Sequence, residues 1–123
     1  MQIKMNIVDV RGGTKEQKEL TEKVVHFCIK ELMPKVRTLD IEVSLKNKLD
    51  GNVDGYHWHG DSNRQHFIEV SKKLKDDDFT TAIMHEMVHV KQSYRKEIDN
   101  TIENEREAYE KQEILLEGWK NDN

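Results

Sequence analysis

Apolar and polar residues alternate in some stretches of the chain and recur at helical spacing in others, and that contrast predicts the elements. In residues 2–10, Ile3, Met5 and Ile7 share one face of a predicted strand. Leu39, Ile41, Val43 and Leu45 alternate with Asp40, Glu42, Ser44 and Lys46, the cleanest such run, which predicts a strand buried on one side and wet on the other. Residues 53–59 give a weaker strand interrupted by Gly55, and residues 65–70 another with Ile68 and Val70 on one face. The turn residues Gly60-Asp61-Ser62-Asn63 between them make a hairpin the natural reading, and Leu49-Asp50-Gly51-Asn52 is a second turn.

Helical spacing fills the rest. Leu20, Val24, Phe27 and Cys28 stripe a helix that Thr14 and Gln17 open as a capping box and Pro34 closes. A second helix runs from about Asp78, the expected N-cap, to about Lys96, with Phe79, Ile83, Met87, Val90 and Tyr94 as its apolar stripe. A third spans roughly 101–119, with a frayed polar tail at about 120–123. The order β-α-β-β-β-α-α predicts a single α+β domain over 1–123 with a small, mostly antiparallel or mixed sheet.

Composition narrows the function. The 123 residues suit one domain, and although only 35% are hydrophobic against 36% charged, the apolar ones gather in periodic blocks. Twenty basic and 24 acidic residues leave a net charge of −4. That balance supplies no surplus for neutralising phosphates, so a nucleic-acid partner is not expected. The lone Cys28 excludes an internal disulfide, suits a reducing compartment and reads as a small core residue. The first ten residues form neither a signal-peptide block nor a membrane span, so the expectation is a soluble cytoplasmic protein with no membrane partner.

His85-Glu86-Met87-Val88-His89 places H-E-x-x-H inside the second helix. At about 100° per residue the two histidines lie about 40° apart and one turn along, so both imidazoles reach one ion. Glu86 sits beside the first of them, where its carboxylate can take a proton from a water without joining the metal's shell. The third helix carries an acidic run. On its wheel Ile102, Ala108, Tyr109, Leu115, Leu116 and Trp119 fall within about 80° of Glu105. Glu103, Glu107, Glu110 and Glu117 fall on the opposite side, where Glu107 is expected to be solvated. One carboxylate therefore points into the apolar seam, where it needs a base or a metal. Two histidines and that glutamate make a zinc shell with its fourth position open to water.

His85-Glu86-x-x-His89 followed by Glu105-x-x-Ala108 resembles the gluzincin pattern of zinc metallopeptidases, and is similar in shape to the ImmA/IrrE-type and minigluzincin peptidases. The motif covers the last third of the chain, and the upstream β-α-β-β-β order is similar to a zincin N-terminal half. The resemblance implies a zincin-like domain holding one Zn²⁺ per chain on His85, His89 and Glu105, with Glu86 as general base and a peptide or protein as substrate. Many relatives place Asp or Asn after the alanine to support a ligand; this chain has Tyr109.

Other residues carry open readings. Tyr109 is a candidate oxyanion donor or support for His85 or His89, against a packed tyrosine in the helix seam. Tyr56, His57 and His59 lie on a candidate substrate-binding edge strand, against residues chosen for solubility. His57, His59 and His66 on the hairpin allow a second metal site, though nothing supplies a matching carboxylate. His26 reads as a surface histidine, and Asp76-Asp77-Asp78 as helix capping rather than a Ca²⁺ site. The alternative to a peptidase is a zinc-binding regulatory or protein-interaction module with narrow or no proteolytic activity.

Overall fold

A computed structural model of the chain describes residues 5–97 and 100–122. Strand β1 (Ile7–Arg11) leads into helix α1 (Lys15–Leu32), then strand β2 (Asp40–Lys46). After a single 3-10 turn at Asp50–Asn52 come strands β3 (Gly55–His59) and β4 (Gln65–Ser71), then helices α2 (Asp76–Tyr94) and α3 (Thr101–Asp122). The fold is α+β with a four-stranded mixed sheet in the order β1-β2-β4-β3. β1 and β4 flank β2 in parallel, while β3 pairs antiparallel with β4 and forms an edge.

The inward face of β2 is the one its alternation predicts: Ile41, Val43 and Leu45 are buried, beside Ile68 and Val70 of β4. β1 is a correction. Ile3 lies outside the described residues, and Met5 and Ile7 are exposed. Its inward residues are Val8 and Val10, set beside Ile41 and Val43. The reason is Asp9, which shares its face with Ile7 and would have carried a carboxylate into the core.

Helix α1 begins with both halves of its capping box, Gln17 N–H to Thr14 Oγ1 and Thr14 N–H to Gln17 Oε1. It buries Val24, Val25, Cys28 and Ile29 against the sheet and α2. Helix α2 starts at Asp76, earlier than expected, with Lys75 and not Asp78 in the cap position. Lysine has no acceptor to offer there, and the three aspartates instead fill the first turn, where the helix dipole favours them. Its predicted stripe holds, with Phe79, Ile83, Met87 and Val90 buried. Helix α3 continues to Asp122 and packs on α2 through Ala108 and Leu115. Trp119 meets Phe27 of α1 edge-on at 5.4 Å. Among the described residues, no helix is long and apolar enough to cross a membrane.

Candidate metal centre

His85, Glu86 and His89 occupy consecutive turns of α2 where it passes β3, and α3 brings Glu105 across from the other side. His89 Nε2 lies 2.6 Å from Glu105 Oε1, and His85 Nε2 lies 3.3 Å from Glu105 Oε2. The three ligand atoms sit within 4.8 Å of one another, and no other group of three such residues gathers among the described residues. Glu105 reaches this place differently from the wheel's expectation. It is not sunk in an apolar seam but 41% exposed, at the wall of an open cleft. Ile102 and Tyr109, read as seam residues, are 74% and 60% exposed.

Both histidines are held from behind by glutamines that the sequence reading missed. His85 Nδ1 is 2.8 Å from Gln112 Oε1, and His89 Nδ1 is 2.8 Å from Gln92 Oε1. Each amide oxygen accepts the Nδ1–H and leaves Nε2 to face Glu105, the arrangement that orients histidine ligands in metal sites. The spacing held a signal: Gln92 follows His89 by three residues and Gln112 follows Glu105 by seven, both on the facing side of their helix.

Glu107 is a further correction. It is half-buried between the helices, taking hydrogen bonds from Lys91 Nζ at 2.8 Å and Gln92 Nε2 at 2.8 Å. Burial pushes its carboxyl up, but the bonds from Lys91 and Gln92 and the charges of Lys91 and Lys111 outweigh that and hold it below its ordinary range. Lys91 is itself buried and also pairs with Glu97 at 3.3 Å. Wheel arithmetic put Glu107 among solvated acids because it counted apolar neighbours on one helix and not a buried lysine on the next.

Glu86 is only 5% exposed, and among the described residues nothing donates to it or pairs with it. Burial, and then the Glu105 charge, push its carboxyl up to about 8. Its carboxylate lies against Gly55, where an added Cβ would come within 2.9 Å of Oε2 and 3.1 Å of Cγ. A side chain at position 55 would occupy the seat of the glutamate.

The cleft holds about 780 Å³ and runs between β3 and α3, with Gly55, Tyr56 and His57 on one wall and Glu105, Tyr109 and Gln112 on the other. The Tyr109 ring lies 4.6 Å from that of His85 and is 60% exposed, so it borders the His85–His89–Glu105 group instead of packing in the helix seam. Tyr56 also borders the cleft, with its hydroxyl given to the Asp50 carbonyl at 2.6 Å. His57 and the fully buried His66 hydrogen-bond at 3.0 Å, and His66 Nε2 donates to the Asn63 carbonyl at 2.6 Å. That fixes His66 Nδ1 as the acceptor and His57 Nε2–H as the donor. Burial, and then the neighbouring His66, His89 and His59, bring the His57 imidazole down to about 3. His59 is exposed on the far side of His57, bonded to Gly60, and these three histidines form no ligand cluster. His26 is exposed and Cys28 fully buried, as read from the sequence.

The donor set itself tests whether a metal fits. Each of His85 and His89 has a glutamine oxygen at Nδ1 and a carboxylate oxygen at Nε2. Two acceptors facing one imidazole are satisfied in two ways, by an imidazolium that donates to both or by a neutral ring with a metal ion between its Nε2 lone pair and the carboxylate. Two neutral nitrogens and one carboxylate, all on one side, with room beyond them, suit a divalent ion of the zinc type. No protein-family model, no curated protein and no solved structure matches this chain, so the case for a metal-binding group rests on its own residues.

Proposed function

We propose that the protein is a zinc-dependent peptidase acting inside the cell. The observation that carries this reading is the buried carboxyl group of Glu86, which has no partner among the described residues and lies beside three converging side chains at the wall of a cleft. A site that only bound metal for structure would close its shell and would have no use for that group. The buried, unpaired thiol of Cys28 fits a reducing interior.

His85, His89 and Glu105 would hold the ion. When bound, zinc acts as a Lewis acid towards a water and a scissile carbonyl. With the ion's positive charge beside it Glu86 would be ionised, and its carboxylate would then accept the proton of the attacking water and return it to the leaving amine. Tyr109 borders the same space and can donate its hydroxyl to the developing oxyanion. β3 is the edge of the sheet beside the cleft and can pair with an extended peptide through its main chain.

Glu86→Gln is the direct test. The variant should fold and take up zinc like the native protein, at about one per chain, yet lose peptide hydrolysis by about a hundredfold or more. Metal analysis and a peptide-library assay on both proteins measure this. Equal cleavage by the two would remove Glu86 from the chemistry, and native protein that takes up no zinc would remove the peptidase reading altogether.

A further inference from the structure

We infer that Glu107 is a positioning residue for His89, acting through the side chain of Gln92. The inference rests on the metal-site reading and adds to it a residue that touches neither ion nor substrate.

A buried amide can present either its oxygen or its NH₂ group to a neighbour, and the remaining contacts decide which. Gln92 is buried, and its Nε2 gives one proton to the Asn104 carbonyl at 2.9 Å and one to Glu107 Oε1 at 2.8 Å. Both partners only accept. The oxygen must then face His89, where it takes the Nδ1–H at 2.8 Å. A neutral imidazole carrying its proton at Nδ1 has a lone pair at Nε2, the atom that faces Glu105. Glu107 is the charged, and so the stronger, of the two acceptors, and Lys91 holds its other oxygen at 2.8 Å. Without Glu107 the amide keeps one anchor and is free to turn. An N–H then points at Nδ1, and the histidine proton moves to Nε2, where it competes with the ion. His85 lacks such a lock: among the described residues the Gln112 amide donates to exposed Glu113 alone, at 3.3 Å.

The competing account is that Glu107 merely pairs with Lys91 to hold the helices together. Replacing Lys91 separates the two, and it avoids stranding a buried ammonium when Glu107 is removed. Zinc affinity is measured by competition with a chromophoric chelator. Lys91→Met should stay within about threefold of the native value, since the Glu107–Gln92 bond survives. Adding Glu107→Leu should weaken zinc about tenfold or more, the usual cost of losing an outer partner of a histidine ligand. With Gln92→Ala also present, the same Glu107→Leu step should change affinity by less than about twofold, because its path to His89 is gone. The visible spectrum of the cobalt-loaded protein should shift with Glu107→Leu and not with Lys91→Met.

An equal loss in both Gln92 backgrounds overturns the inference, as does no loss in either. A tenfold loss from Lys91→Met alone does the same and assigns the effect to the ion pair. Native protein that binds no zinc fails at the first titration and sinks the metal reading together with this one, whereas native binding with no effect of Glu107 sinks only this one.

Discussion

Glu86 and Gly55 make one fitted pair, and the glycine is there for the space it leaves rather than for an unusual backbone angle. Gly55→Ala should therefore leave the sheet paired and zinc bound but push the Glu86 carboxylate from its seat, lowering hydrolysis about tenfold or more at unchanged metal content. Metal analysis beside an activity assay checks it, and an alanine variant with native activity would show that the glutamate tolerates the shift. Thr21 offers a stability test remote from the cleft. Its hydroxyl is buried with no hydrogen-bond partner among the described residues, so Thr21→Val keeps the shape and should stabilise the protein by about 1 kcal/mol in urea titrations. At this scale the two histidines and Glu86 were legible, because one turn of one helix carries all three. Gln92, Gln112 and Glu107 were not, because a wheel places a residue relative to its own axis and says nothing of what the next helix presents.

The elements themselves were largely written in the local pattern: the Thr14–Gln17 box, the alternation from Leu39 to Leu45, and the stripe from Phe79 to Tyr94 all appear where the residues put them. Helix α3 shows the limit. Its inward face centres on Ala108, about 60° from the Glu105-centred face that the apolar count selected, because Ile102 and Tyr109 face the open side instead of α2. That rotation gives α3 two different attachments. Its first half meets α2 through Glu105 and the Glu107–Lys91 pair, and its second half is held on α2 by Leu115 and the Lys120–Asp77 pair and on α1 by Trp119 and Phe27. Chelation should then loosen the helix unevenly. Amides from about Asn104 to Tyr109 should exchange faster once the ion is withdrawn, while those near Leu115 to Trp119 should keep their protection, as native-state hydrogen exchange would show. Uniform loss along α3 would mean that the ion holds the whole helix and not one end.

For the whole molecule, two buried groups shape stability against pH in opposite senses. Glu86 in the chelated fold holds its proton up to about 8 against an ordinary 4.5, so its contribution is complete below 4.5 and is lost as pH rises to 8. His57 stays neutral down to about 3 against an ordinary 6.5, so its contribution is complete above 6.5 and is lost as pH falls to 3. Between 4.5 and 6.5 the two slopes cancel, and outside that window each limb falls by up to about 1.4 kcal/mol per pH unit. Urea titrations of chelated protein should trace this flat top; Glu86→Gln should remove the alkaline limb and His57→Gln the acid one. A profile that neither variant alters would place the burial cost elsewhere. The order of the strands bears on a different matter, the birth of the protein. β2 lies between a strand that precedes it and one that follows it, with β4 arriving only after β3. A ribosome delivers the chain from its N-terminus. Ile41 and Val43 thus wait for β4 before the sheet can close, and His85 and His89 wait for Glu105 before the three can gather. A nascent chain stalled between His89 and Glu105 carries both histidines and Glu86, and still lacks the third member of the group that could hold an ion.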